Sequence, residues 1–274
     1  MLKSLLKKIY FLLDPINVLV YRLVTGYKNP IPPAINRARI GNYSIGSFMH
    51  SGLKCYLPIQ TAISKNFPVK PQSPLLVLDF GIGVGRVAQY FLIDTGTGPT
   101  SLHGCDVDQT AIDYLESSFP EIQVHCNRYT PPLPHADEKF DVIYSVSIFT
   151  HLPIELQEPW LLELKRILKP GGLLLPTTIG PHGYKRGTHL QAVKFSLHEL
   201  ERDGIKWSPY TGGVRSPGTD ETYGATYHTP QYIREMWGKH FDVIDVNEGV
   251  IDGLNDLVIM RKPAIEEPFV QGLY

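Results

Sequence analysis

The sequence is poor in cysteine and has no obvious metal-ligand spacing. Its 274 residues include 3 cysteines, Cys55, Cys105 and Cys126, with no Cys-x-x-Cys pair. A disulfide framework and a cysteine zinc site are therefore disfavoured, and we predict no metal. Cys105 and Cys126 fall in apolar runs typical of strands, where we expect both thiols to be small core residues. A reducing cytoplasm is the expected compartment.

The sequence also lacks a net charge of either sign. Lys and Arg number 26 against 27 Asp and Glu, which gives a formal charge of -1. No global field therefore attracts a polyanion, and we expect no nucleic-acid partner. The length suits one large α/β domain with appended pieces.

The amino end, residues 1–25, has no uninterrupted apolar run of the roughly 20 residues that cross a membrane. Asp14-Pro15 interrupts it, and no small-residue cleavage site follows, so we predict neither a spanning helix nor a signal peptide. Helical spacing predicts two short helices, the second beginning with Asp14 as N-cap and ending near Gly26. Their apolar faces either pack on the main domain or make peripheral contact with a membrane.

From Leu75 onwards the sequence alternates predicted strands and helices. Strands are predicted over 75–79, 101–105, 122–126, 140–146 and 173–178, and helices over 84–93, 109–118 and a segment ending near Leu168 before a turn at 169–172. Continuous apolar strands are typical of a doubly wound parallel sheet with both faces covered. A helix over 231–238 and strands over 241–246 and 257–260 predict a closing hairpin.

These patterns divide the chain into an N-terminal helical extension (1–69), an α/β domain (70–263) and a C-terminal tail (264–274). Proline-rich stretches mark the end of the extension. Within the domain, residues 181–229 form a long polar insertion rich in Gly, His and Tyr. Long insertions in compact domains are often functional lids, which is the expectation here.

The strongest chemical signal is a buried strand that runs into a glycine-rich turn, residues 77–86. Gly81, Gly83 and Gly85 let the backbone approach a ligand closely, and amides at a helix start favour negative charge. The spacing is Gly-x-Gly-x-Gly followed by Arg86, whereas a dinucleotide fingerprint needs Gly-x-Gly-x-x-Gly. An NAD-linked oxidoreductase is therefore disfavoured.

A second signal is Asp106-Val107-Asp108 at the end of the next strand. An acid at this position lies where it accepts both hydroxyl protons of a ribose, as in nucleotide-binding α/β folds. Asp108 is placed to cap the helix that follows.

In this order the motifs resemble those of class I S-adenosylmethionine (SAM)-dependent methyltransferases, over about residues 74–179. The resemblance rests on Leu78-Asp79-Phe80-Gly81-Ile82-Gly83-Val84-Gly85, Asp106, Pro132-Leu133-Pro134, Phe140-Asp141-Val142-Ile143-Tyr144-Ser145 and Leu168-Lys169-Pro170-Gly171-Gly172. It implies a Rossmann-like, doubly wound seven-stranded α/β sheet with an antiparallel last strand. It also implies SAM as the cofactor.

The resemblance further implies which residues bind that cofactor. They are Asp79, Phe80, Gly81, Gly83 and Gly85 around the methionine part, Asp106 and Val107 at the ribose diol, Asn127 against the adenine, and Ser145 along the methionine side. The family commonly has an acid just after the third strand, where this sequence has Arg128.

Other segments resemble a bacterial subgroup of these enzymes, namely residues 39–42 with Phe48 and Gly52, residues 148–153 and residues 253–258. Members of this subgroup often occur with glycan or cell-surface assembly enzymes. The resemblance favours O-methylation of a sugar or similar hydroxyl, with the insertion as acceptor lid. A lipid or other small-molecule acceptor, or a non-catalytic scaffold, remains an alternative.

A sugar hydroxyl needs a general base, and histidine suits this role near neutral pH. His151 follows the fourth strand at the ligand-binding edge of the sheet and is the first candidate; alternatively it caps the next helix or packs under the extension. His228 is the second candidate. Candidate substrate contacts in the insertion are His182, His189, Tyr184, Tyr210, Tyr223 and Tyr227.

Overall fold

The structure is a computed structural model that describes residues 8–67, 74–93, 100–187 and 193–264. Its strands are β1 (Leu75–Phe80), β2 (Thr100–Asp106), β3 (Gln123–Cys126), β4 (Phe140–Ser145), β5 (Leu168–Thr178), β6 (Ile205–Pro209), β7 (Gly224–His228), β8 (Asp242–Ile251) and β9 (Asn255–Arg261). Its helices are α1 (Asp14–Thr25), α2 (Ala34–Arg39), α3 (Ile45–Asn66), α4 (Ala88–Ile93), α5 (Gln109–Ser118), α6 (Ile154–Ile167), α7 (Pro181–Arg186), α8 (Leu197–Asp203) and α9 (Pro230–Met236). His189, most of the predicted tail and the start of the first predicted helix lie outside the described residues.

Seven strands form one sheet in the order β3-β2-β1-β4-β5-β9-β8. β3, β2, β1, β4 and β5 pair in parallel, while β9 is antiparallel to β5 and to β8. The predicted doubly wound sheet with an antiparallel last strand is confirmed. The carboxyl ends of β1, β2 and β4 meet at one edge, which is where such sheets bind ligands.

Each central strand contributes to a core on both faces of the sheet, which explains the continuous apolar runs. On β1, Val77 packs in one core with α3, α4 and α5, while Leu78 packs in the other with α6 and the α9 region. α3 thus covers the sheet itself, although its sequence precedes the alternating pattern. Gly52 on α3 lies so close to the backbone of Arg86 that a Cβ there would clash.

The second amino-terminal helix forms where predicted, but its start differs. Asp14 is its first residue rather than its N-cap, and the N-cap Leu13 makes no side-chain capping bond. The Asp14 carboxylate turns instead to α2, where it accepts from the Ala34 amide at 2.7 Å and from the buried Arg37 guanidinium at 2.5 Å. The helix ends at Thr25, and Gly26 adopts the left-handed conformation with φ 70.

Three local predictions need correction. The helix predicted over 84–93 begins only at Ala88, because Gly83 and Gly85 have φ of 54 and 79, which no α-helix accepts. The predicted turn at 169–172 lies inside the longer strand β5, with an irregular register beside it. Cys126 is exposed because β3 is an edge strand, whereas Cys105 is buried as predicted.

The insertion carries structure of its own. It contains α7, α8 and a two-stranded antiparallel sheet in which β6 pairs with β7, from Ile205 opposite His228 to Pro209 opposite Gly224. All five residues of β7 are buried. In the described part of the chain, no helix combines the length and hydropathy that crossing a membrane requires.

Candidate active site

A cavity of about 600 Å³ opens at the carboxyl edge of the sheet. This volume falls in the range of small-molecule and cofactor sites. The strand ends contribute Asp79, Phe80, Asp106 and Val107, and Asn127 lies beside them. The remaining walls come from the extension (Ala38, Arg39, Ile40, Gly41), the loop after β4 (Val146, Ser147, Ile148, His151, Leu152) and the insertion (Tyr210, Ser216, Pro217, Tyr223).

The glycine-rich turn is fastened to the neighbouring strand. The amides of Gly81 and Ile82 donate to the Cys105 carbonyl at 2.9 and 3.0 Å, and the Gly83 amide donates to Asp106 Oδ2 at 2.8 Å. Gly81 has φ 87, and a Cβ there would overlap the Ile148 side chain. Glycine is therefore required both for the turn and for the approach of the loop after β4.

Asp106 lies at the centre of this network. Its Oδ1 accepts from the Asp108 amide at 2.9 Å, so each carboxylate oxygen holds one backbone amide and keeps further lone-pair capacity. Burial raises the pKa of Asp106, and the amides of Asp108 and Gly83 lower it. Asp108 caps α5 through the Thr110 amide at 3.1 Å, as predicted, and also pairs with Arg39 of the extension.

Asp79 is almost completely buried beneath the turn. The Tyr144 hydroxyl donates to its Oδ2 at 2.7 Å. Burial raises the pKa of Asp79 to about 7, while the bond from Tyr144 and the charge of Arg86 lower it. The carboxylate is therefore poised to ionise fully when a cationic group approaches.

The structure brings most of the predicted cofactor residues to the cavity. Asp79, Phe80, Gly81, Gly83, Asp106, Val107 and Asn127 line it. Gly85 and Ser145 do not line it. A Cβ at Gly85 would point toward the Leu115 side chain, and Ser145 is fully buried at the end of β4. Asn127 donates to the Arg128 carbonyl at 2.7 Å.

His151 lines the same cavity and is oriented by the insertion. Its Nδ1 lies 2.7 Å from the Gly224 carbonyl oxygen. A carbonyl only accepts, so Nδ1 carries the proton, and the neutral imidazole has its lone pair on Nε2. The ring also lies 4.4 Å from the Tyr223 ring and 6.2 Å from that of Tyr210.

His228, the second candidate, is fully buried and does not line the cavity. Its Nε2 lies 3.2 Å from Gln157 Oε1, and burial lowers its pKa to about 3. Gln157 in turn donates to the carbonyls of Phe149 and Leu152, on either side of His151. His228 thus supports the loop that carries His151.

The other candidates in the insertion separate into two groups. Tyr210 and Tyr223 line the cavity. Tyr184 and Tyr227 pack in a small apolar cluster with Leu200, and His182 lies against Gly249.

Several side chains that line the cavity had no ligand role predicted from the sequence, among them Arg39, Arg86, Tyr129 and Trp160. Arg86 directly follows the glycine motif, so its position in the sequence could have predicted that it lies at the cavity. The other three lie outside the glycine and acid motifs. No cluster of His, Cys, Asp and Glu suited to a metal occurs among the residues that the structure describes.

Comparison with known proteins agrees with this geometry. Residues 77–172 match the family described as "Methyltransferase domain". An uncharacterized protein of Haemophilus influenzae is 29% identical over 127 residues, which cover 43% of this chain and 51% of that protein. The tRNA N(3)-cytidine methyltransferase METTL2 of Gallus gallus is 26% identical over 130 residues, 42% of this chain and 35% of that protein. The chain thus spans about half or less of the length of these relatives.

Among solved structures, a SAM-dependent methyltransferase from Methanosarcina mazei superposes with a TM-score of 0.52 at 20% identity. The superposition covers 76% of this chain and 98% of that one. It supports the Rossmann-like methyltransferase fold. The match over residues 77–172 indicates a methyltransferase domain, and the motifs and the sheet order agree with the fold of class I SAM-dependent methyltransferases.

Proposed function

We propose that this chain transfers the methyl group of SAM to a hydroxyl oxygen of a sugar-bearing acceptor. One observation carries the proposal: His151, flanked by Tyr210 and Tyr223, lines the same cavity as Asp79 and Asp106. A candidate base and a candidate cofactor site are therefore within reach of one bound acceptor.

The polar groups at the sheet edge fit SAM. Asp106 offers two carboxylate oxygens to the vicinal hydroxyls of a ribose, Asp79 offers an anion to the methionine ammonium, and Arg86 offers a cation to its carboxylate. Asp79 and Arg86 are close enough for the Arg86 charge to lower the Asp79 pKa. Asp79 and Arg86 thus provide a negative and a positive charge for the ammonium and the carboxylate of the methionine part of SAM.

When bound, SAM supplies a methyl group that is already electrophilic because it is attached to a sulfonium. The main task of the protein is therefore to align the nucleophile. With SAM bound, the acceptor oxygen would form a bond to the methyl carbon while the carbon–sulfur bond breaks and its electron pair returns to sulfur. The hydroxyl proton passes to Nε2 of His151. Protonation at Nε2 leaves the bond from Nδ1 to the Gly224 carbonyl intact and gives it a charged donor.

Aromatic walls support a sugar acceptor. Tyr129, Trp160, Tyr210 and Tyr223 line the cavity together with His151. Flat rings pack against the C–H faces of sugars, while tyrosine hydroxyls supply polar contacts. A lipid or another small molecule is the alternative acceptor. The tRNA substrate of the METTL2 relative fits less well, because a chain with formal charge -1 offers no field for RNA.

Parallel calorimetric titrations with SAM, S-adenosylhomocysteine and NAD test the cofactor site first. We expect both sulfur nucleosides to bind and NAD to give no heat; NAD binding alone would overturn the proposal. A scaffold with a blocked site would bind none of the three. Transfer of labelled methyl from SAM to a panel of sugars, glycolipids and transfer RNA then tests the acceptor class, and we expect base-stable label on sugar oxygen.

A further inference from the structure

α1 presents a broad apolar face to solvent. Leu23 and Val24 are 76% and 78% exposed, and Ile16, Leu19 and Val20 are each more than half exposed. The preceding turn adds further exposed apolar residues, Ile9, Leu12 and Leu13. Contiguous apolar surface of this kind normally marks an interaction site.

The opposite side of α1 is already used within the fold. Val18 and Tyr21 pack against the cluster that contains Phe48 and Met49 of α3. Asp14 forms its buried ion pair with Arg37 on α2. The helix is therefore held with its apolar outer face, which we call the α1 outer face (Leu12, Ile16, Leu19, Val20, Leu23 and Val24), directed away from the domain.

The charges around this face have one sign. Among the described residues from 8 to 30, the basic side chains are Lys8, Arg22 and Lys28. The single acid in this range, Asp14, is neutralised by Arg37 and buried. Exposed apolar side chains bordered by Lys and Arg are the signature of helices that lie in the interface of an anionic membrane.

We infer that the α1 outer face docks this chain on the surface of an anionic phospholipid bilayer. The apolar side chains enter the boundary between headgroups and acyl chains, and the basic residues contact the headgroups. A second copy of the chain would leave like charges facing each other, whereas anionic lipid pairs with them. This inference does not depend on the identity of the acceptor.

Docking through α1 would also place the cavity near the membrane. α2 contacts Asp14 of α1 through Ala34 and Arg37, and its last two residues, Ala38 and Arg39, line the cavity. A helix of six residues is only about 9 Å long. An acceptor held at the membrane surface is therefore within reach of the site.

Flotation of the full chain with vesicles tests the inference. Vesicles of phosphatidylcholine alone are compared with vesicles that also contain phosphatidylglycerol. The variant Leu19→Gln/Leu23→Gln removes two side chains of the α1 outer face. The matched control Ile154→Gln/Leu162→Gln changes two exposed positions on α6, which are 43% and 46% exposed. SAM binding confirms that each variant is folded.

We expect flotation with anionic vesicles, reduced about tenfold or more by Leu19→Gln/Leu23→Gln and unchanged by the control. Raising salt from ~0.1 M to ~1 M should weaken it, because the charge attraction is then screened. Absence of flotation by the parent chain, or equal flotation of parent and α1 variant, would overturn the inference. A dimer in sedimentation velocity that Leu19→Gln/Leu23→Gln dissolves, without flotation, would assign the face to a second copy instead.

Discussion

The two ends of the cavity are built in different ways. At the cofactor end, the glycine turn and Asp106 follow adjacent parallel strands and are joined by hydrogen bonds such as that from the Gly83 amide to the Asp106 carboxylate at 2.8 Å. At the other end, which we call the acceptor end because we propose that the acceptor binds there, His151 contacts the carbonyl of Gly224, 73 residues away in the chain. The cofactor end is thus part of the sheet, whereas the acceptor end is assembled by docking an insertion on a loop.

Strand β7 makes this docking specific. Its alternate residues Gly224 and Thr226 contact the loop that carries His151, and His228 contacts Gln157 on α6, which holds that loop. The Thr226 amide donates to the Thr150 carbonyl at 2.8 Å, and its hydroxyl donates to the Leu152 carbonyl at 2.5 Å. Because the two ends are held by different parts of the chain, we expect mutations to affect cofactor binding and acceptor chemistry separately.

The variant that separates the two ends most strongly is His151→Ala. Loss of a general base should lower kcat by about 10²- to 10⁴-fold, while the Kd for SAM changes less than about twofold. Initial rates at saturating SAM and calorimetry measure the two quantities. His198→Ala removes an exposed histidine from α8 and is the matched control.

A more acidic hydroxyl needs less help from a base. With an acceptor of that kind, His151→Ala should therefore lower kcat by a smaller factor. Full turnover by this variant with the true acceptor would eliminate His151 as the base.

Asp106→Asn acts on the other end. The substitution keeps the shape of the side chain but removes the negative charge of the carboxylate that would accept hydrogen bonds from the ribose hydroxyls. Charge-assisted hydrogen bonds contribute about 1.5–3 kcal/mol. We expect the Kd for SAM to rise about 10- to 100-fold, with a lower Tm because the bonds to Gly83 and Asp108 weaken. Asp113→Asn, at an exposed position on α5, is the control. Unchanged affinity would remove Asp106 from the cofactor site.

The same contrast explains what could be predicted from sequence. The turn after β1 and the acid at the end of β2 are short motifs at adjacent strand ends, so the sequence could predict that Asp79, Gly83 and Asp106 lie together. His151 was placed at the right edge because strand ends meet there. The pairing of His151 with Gly224 and the burial of His228 depend on how the insertion docks, which no local pattern encodes.

The amino-terminal extension illustrates a second limit of sequence reasoning. The helix α1 was predicted and α3 was not, and an apolar stripe has the same sequence pattern whether it packs or stays exposed. In the structure α3 enters the core while α1 leaves its outer face in solvent. Burial is a property of the assembled fold and not of the helical pattern.

Thr226→Val sharpens the role of β7 by removing one hydroxyl at nearly constant volume. Leu152 retains the bond from Gln157 at 2.7 Å, so its carbonyl is not left without a donor. We expect a loss of about 1 kcal/mol in the free energy of unfolding, or about 2–4 °C in Tm, together with a lower kcat. SAM affinity should stay constant. Thr222→Val, at an exposed position, is the control, and a selective loss of SAM affinity would show that the two ends are coupled.

We also expect a pH dependence that is confined to the cofactor end. Asp79 has a pKa of about 7, far above the ordinary carboxyl value, because it is buried. The methionine ammonium of SAM favours the ionised carboxylate, so binding should release a proton and the affinity should fall as pH decreases below 7. For one linked proton the loss from pH 8 to pH 6 is about tenfold.

Two variants test whether Asp79 is the titrating group. Asp79→Asn should bind SAM weakly and with no such dependence between pH 6 and pH 8. Tyr144→Phe removes the hydrogen bond that lowers the Asp79 pKa, so the midpoint should shift to higher pH. Calorimetry in two buffers of different ionisation enthalpy counts the released proton directly. Proton release that persists in Asp79→Asn would assign the titration to another group and leave the ammonium without its proposed partner.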